Sequence, residues 1–213
     1  MKFIKMLGLA VVAVIAAMAF VGAAGASAET ALLCSTNTEP CTGTKAKNGT
    51  VISATLTTGS IAELKTSLGT VKCTESSTSG KITNENEGKA EISKVSFSKC
   101  TLGSTECVVT MENIPYEGLL ALAAAGVWHF TVHKFGAGGN PQALVKCGSI
   151  INCKFGTPSA LFLWLQPNPP TEPHAVLHIE QELERVGGLF CPSTSTWKAL
   201  YLVTSPLGYY AIH

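Results

Sequence analysis

Eight cysteines, five histidines and fourteen glutamates hold most of the reactive chemistry open to this chain. The cysteines come first because their spacing separates three chemistries. Structural zinc wants pairs of the C-x₂₋₄-C kind, and thiol redox catalysis wants C-x-x-C. The tightest interval here, Cys147 to Cys153, has five intervening residues, so neither is favoured. An even count reads instead as a set of structural disulfides. Spacing pairs Cys34 with Cys41, Cys100 with Cys107 and Cys147 with Cys153 across short turn-rich loops, and leaves Cys73 to meet Cys191 across the fold. Cys73 with Cys100 remains as an alternative. Each short loop would add around 2 to 3 kcal/mol by restricting the unfolded chain.

Two His-x₃-His pairs follow, His129/His133 and His174/His178. On a helix, residues four apart stand about 6 Å from each other and can share an ion; on a strand they are about 13 Å apart and cannot. GVWHFTVHK alternates as a strand does, which speaks against metal at the first pair. At the second, a helix would align His174, His178 and Glu182 as a ligand stripe. A strand would instead place His178, Glu180, Glu182 and Glu184 on one face, with neighbouring carboxylates about 7 Å apart, a separation inverting glycosidases use. A solvated sheet face or a charged protected edge explains the same residues without chemistry. The aromatics Trp128, Trp164, Trp197, Tyr201, Tyr209 and Tyr210 could stack on sugars, or simply fill a core.

Several chemistries are excluded by absence. The acidic residues are all glutamate, so there is no Asp-rich calcium loop and no Asp-assisted serine triad. Arg185 is the single arginine, which leaves one candidate for bidentate anion capture. There is no G-x-S-x-G, and Gly136-Ala137-Gly138-Gly139 runs into Asn140-Pro141 as a hairpin or flexible loop would. No cofactor is implied.

The positioning elements begin with a leader. Lys2 and Lys5 precede an apolar stretch from Leu7 to Val21 and an Ala26-Ser27-Ala28 site, the pattern of a secretory signal over residues 1–28. No cysteine follows for lipid attachment, and no stable membrane anchor is expected after cleavage. About 185 residues then remain, enough for one domain burying roughly 70% of its unfolded surface. They form one β domain over 29–213 or two sub-lobes over about 29–112 and 113–213. Without Lys2 and Lys5, thirteen basic residues face fourteen acidic ones, so attraction to nucleic acid is not favoured.

Residues 50–57, 61–67, 70–76, 80–84, 91–99, 107–112, 126–134, 143–147, 152–155, 160–166, 197–204 and 207–212 are short, rich in Thr, Ser, Val and Ile, and separated by Gly or Asn turns. That rhythm predicts an all-β, disulfide-stabilised antiparallel sandwich or two stacked sheets. Tyr116 to Ala125 (YEGLLALAAA) has helix-forming composition. Gln166 to Pro173 (QPNPPTEP) reads as a loop. His174 to Val186 fits a helical stripe or a strand face equally.

The segments LCSTNTEPCTGT, GTVKCTES, SFSKC, NCKFGTP, RVGGLFCPSTSTW and YLVTSPLGYY resemble those of a family of secreted, cysteine-containing proteins of unknown function from high-GC Gram-positive soil bacteria. The resemblance covers nearly the whole chain after the leader and is weakest over 112–145. It implies a secreted protein with a disulfide-bearing β architecture and implies no activity. In the family pattern the segment matching 175–186 is a strand. The expectation is a secreted, non-enzymatic structural, surface or binding protein of the cell envelope or extracellular space, with a cell-wall or matrix glycan as the partner class it would meet. The competing expectations are a glycan hydrolase using a pair among Glu180, Glu182 and Glu184, and a glycan-binding or inhibitor module.

Overall fold

The computed structural model describes residues 29–123, 127–166 and 175–212. Residues 1–28, where a leader is expected, the proline-rich stretch 167–173 and His174 lie outside the described residues. Within them every regular element is a strand: β1 (Glu29–Thr30), β2 (Leu32–Cys34), β3 (Val51–Leu56), β4 (Ala62–Thr66), β5 (Gly69–Asn84), β6 (Lys89–Leu102), β7 (Thr105–Glu112), β8 (Tyr116–Ala123), β9 (Val127–Lys134), β10 (Gln142–Cys147), β11 (Ile151–Gly156), β12 (Leu161–Gln166), β13 (Val176–Gly187), β14 (Thr194–Ser205) and β15 (Tyr210–Ile212). All pair antiparallel, thirteen in one sheet and β2 with β15 in a separate ribbon.

The large sheet folds over so that its faces oppose each other, and extra pairings β8–β6, β13–β14 and β5–β4 hydrogen-bond its edges shut. Two closed circuits result. An upper ring runs β3–β5–β6–β8–β9–β12–β13–β14 and back to β3. A lower ring runs β4–β5–β6–β7–β10–β11–β13–β14 and back to β4. The long strands β5, β6, β13 and β14 pass through both. β5, for example, pairs with β4 over Gly69–Cys73 and with β3 over Ser77–Lys81. Both rings therefore draw strands from either side of residue 112, so the two storeys are not successive halves of the chain.

Serving two rings requires a strand to change its inward phase. Along β6 the residues packed inward are Ala90 and Ile92, then Val95 and Phe97, then Cys100 and Leu102. Each step between these pairs slips the period-two alternation by one residue, and Lys99 takes a positive φ of 52° at the second slip. In β5 the same slip falls between Cys73 and Ser76, with a register shift at Ser79/Gly80. A Cβ on Gly80 would lie 1.9 Å from the Glu91 carbonyl oxygen, so only glycine lets β5 approach β6 there.

Tyr116–Ala123 is a strand, not a helix. Its backbone pairs with β6 and β9 on its two sides, and that pairing overrides the helix propensity of its Leu and Ala residues. Residues 176–187 are likewise a strand, paired through nine consecutive positions with β14.

The disulfides are Cys34–Cys41, Cys73–Cys100, Cys107–Cys147 and Cys153–Cys191, and no cysteine is free. Three of the spacing-based pairs are thus corrected: Cys100–Cys107, Cys147–Cys153 and Cys73–Cys191. The reason is register. Cys73, Cys100, Cys107 and Cys147 face one another in a single transverse row across β5, β6, β7 and β10. Cys100 with Cys107 would strand the outer two, whereas pairing each outer cysteine with its inner neighbour satisfies all four. In the β10–β11 hairpin Cys147 faces Ile151 while Cys153 faces Val145, so those two cysteines are offset. The β13–β14 turn carries Cys191 beside β11, where the Arg185 guanidinium donates to the Cys191 carbonyl at 2.7 Å.

Candidate ligand-binding site

The two rings differ in what fills them. The lower ring is packed by its half-cystines with Val71, Val145, Phe155 and Leu183, all buried, and retains a void of about 30 Å³. The upper ring surrounds a partly open cavity of about 350 Å³. Its wall is built from the inward positions of successive strands: Ile52 and Ala54 of β3, Ala90 and Ile92 of β6, Leu120 of β8, Phe130 and Val132 of β9, Leu161 and Leu163 of β12, Leu177 and Ile179 of β13, Tyr201 and Val203 of β14. Eight strands make a ring just wide enough for side chains or one small ligand. Alanine at 54 and 90 and the Gly118 position, over which the Phe130 ring lies, keep this wall thin.

The floor is Trp197 and Met111, which line both the cavity and the small void below; Trp197 is braced edge-on by Phe97 with ring centroids 5.9 Å apart. The β2–β15 ribbon lies across the opposite end, where its Leu33 and Ala211 pack with Ala31, Leu120, Leu122, Leu165 and Trp128. Asn37, Glu85, Lys89, Tyr209 and Tyr210 complete that end.

Two phenols stand in the apolar wall. Tyr201 shares a 2.8 Å hydrogen bond with Ser76, whose hydroxyl also donates to the Ser96 carbonyl at 2.9 Å. Tyr116 donates to the Glu112 carbonyl. Burial pushes both phenols up to about 12, because an anion there would lose its hydration.

The residues singled out for chemistry lie elsewhere. Glu180, Glu182 and Glu184 are exposed on the outer face of β13. The Lys198 ammonium, 2.5 Å away, hydrogen-bonds Glu180 and holds it below the usual carboxylate range, the reverse of what a general acid needs. His178 and Glu182 are four apart on that strand, so they do not share an ion as the helical alternative required. His129 and His133 are in the same relation on β9. Among the described residues no cluster of three His, Cys or Glu side chains is placed to hold a metal. The aromatics divide: Trp128, Trp197 and Tyr201 point inward and are buried, while Trp164 stands outside, half-exposed, edge-on to His178 at 5.5 Å.

Sequence reasoning missed the cavity because its lining is apolar residues of ordinary type; a legible trace was the small residues Ala54, Ala90 and Gly118 at inward positions of otherwise bulky strands. Fold and site define a disulfide-stapled, closed antiparallel β structure with a hollow apolar interior. No protein-family model, curated protein or solved structure matches the chain.

Proposed function

We propose that this chain is a secreted, non-catalytic binding protein that holds one small apolar molecule inside its upper ring. The observation that carries the reading is the contrast between the rings: the lower one is filled, and the upper one retains about 350 Å³ lined mostly by apolar side chains. That volume falls in the range of small-molecule sites, 300 to 1,000 Å³ in rough terms, and exceeds by more than twofold the ~150 Å³ apolar void that takes up benzene. Secretion is supported by the leader pattern, by the resemblance to secreted proteins and by four disulfides, the usual equipment of proteins that fold in an oxidising compartment. The outward, ion-paired Glu180 and its exposed neighbours give the hydrolase reading no cleft.

The test is titration of the oxidised protein with N-phenyl-1-naphthylamine, a neutral dye that brightens in apolar surroundings. Saturable enhancement at one dye per chain, abolished when Ala54 and Ala90 are both replaced by leucine, is expected. Enhancement that survives those replacements would place the dye outside the ring and overturn the proposal.

A further inference from the structure

We infer that the molecule this cavity takes is a single-chain amphiphile of about twelve carbons with a polar head that is not anionic, bound with its tail on Trp197 and its head beneath the β2–β15 ribbon. The inference rests on the binding reading above and specifies its ligand.

The tail follows from hydrogen-bond accounting. A polar group carried deep into the ring must find a partner or lose its hydration uncompensated. Five of the hydroxyls along the wall are already committed, and Ser79 is the exception. Tyr201 is bonded to Ser76 and Tyr116 to the Glu112 carbonyl. Ser53 meets Thr204 at 2.9 Å, Thr78 donates to the Lys94 carbonyl at 3.2 Å, and Ser205 donates to the Val51 carbonyl at 2.9 Å. The floor presents an indole face and a thioether. The part of the ligand that lies against the floor is therefore hydrocarbon.

The head follows from where charge lies. Glu85 and Lys89 are the ionised groups among the described lining residues, and both are at the ribbon end with Asn37, Tyr209 and Tyr210. Lys89 is neutralised by an ion pair and Glu85 is not, so this end carries a net negative charge. Lys89 is 2.5 Å from Glu87, and Glu85 accepts the Asn48 backbone N–H at 2.8 Å while its own N–H is taken by the Asn48 side chain at 2.9 Å. A carboxylate head would meet two glutamates and a lysine already paired with one of them. A hydroxyl, ester or amide head meets Asn37 and the tyrosines without that repulsion.

Length and shape follow from the ring. At the roughly 30 Å³ a water occupies in the liquid, the cavity holds about a dozen methylene-sized groups. Trp128, at the ribbon end, and Val132 are both inward on β9 and about 13 Å apart along it. An eight-stranded circuit admits one chain rather than a pair.

The tryptophans are a built-in ruler: Trp128 marks the ribbon end, Trp197 the floor, and Trp164 lies outside. The experiment uses dodecanol brominated either at its terminal carbons or beside its hydroxyl, added to oxidised protein carrying Trp164→Phe with either Trp128→Phe or Trp197→Phe. Terminal bromine should quench Trp197 several-fold more than Trp128, bromine beside the hydroxyl should reverse the ratio, and dodecanoate should compete at least tenfold more weakly than dodecanol. If either tryptophan variant fails to fold, the three indole N–H resonances of the unaltered protein report the same proximities. Equal quenching of both tryptophans, a reversed ratio, or dodecanoate binding as tightly as dodecanol would overturn the inference while the cavity stands. Absence of quenching together with absence of naphthylamine binding would overturn the binding reading itself.

Discussion

The transverse row Cys73, Cys100, Cys107, Cys147 makes a demanding test of the strand register. Replace the two outer members, Cys73→Ser and Cys147→Ser, and the inner pair is left as two thiols on directly opposed residues of β6 and β7. The expectation is that Cys100 and Cys107 then form the bond that spacing alone suggested. The native bonds close intervals of 27 and 40 residues, for which loop entropy gives about 3.6 and about 3.9 kcal/mol. The replacement bond closes about seven residues and returns about 2.4 kcal/mol, so the double variant should be less stable by about 5 kcal/mol. Two buried serines add to that loss. Non-reducing peptide mapping identifies the bond, and denaturant unfolding of the oxidised proteins measures the difference. Finding Cys100 and Cys107 both as free thiols in folded double variant would mean that β6 and β7 do not meet in this register, and the account of the lower ring would fail with it.

Ala54→Leu adds three carbons to the cavity wall; at about 0.8 kcal/mol per buried methylene it should stabilise by up to about 2 kcal/mol while weakening naphthylamine binding, read by thermal unfolding and dye titration. Gly80→Ala should cost on the order of 3 kcal/mol, because its Cβ would sit 1.9 Å from the Glu91 carbonyl oxygen and must part β5 from β6; a midpoint shift within error would contradict the packing. Tyr201 gives a pH dependence. Its phenol is held up at about 12 in the fold, against about 10 in the unfolded chain, so the unfolded state loses its proton first as pH rises. The stabilisation, about 2 to 3 kcal/mol, is fully present below pH 10 and gone by about pH 12. Alkaline unfolding followed by phenolate absorbance should show this loss, and Tyr201→Phe should flatten that part of the profile; an unchanged profile would mean that Tyr201 ionises freely in the folded protein.

Much of the architecture was legible before any coordinates. Period-two alternation in GVWHFTVHK and WKALYLVT, β-branched composition and regularly spaced turns marked strands because a pleated strand shows its side chains to two environments. The even cysteine count in a chain with a leader pattern announced disulfides for the same local reason. Elements that serve two masters were harder to read. β5 looked like two strands, 70–76 and 80–84, because its alternation slips where it passes from the lower ring to the upper one. YEGLLALAAA looked helical because propensity is local, whereas the partners that hold Tyr116–Ala123 extended come from β6 and β9.

What the sequence by itself determined about this protein is the menu: β strands, stapled cysteines, near-neutral charge, no Asp-based or G-x-S-x-G chemistry. Tertiary structure alone decided which cysteine meets which, because Cys100 has a neighbour on each side and only the register across four strands says how all four are satisfied. It alone also decided that a cavity exists. Ala54, Ala90, Leu163 and Trp197 are unremarkable core residues in their own strands, and the space between them is a property of ring closure, which no single segment encodes.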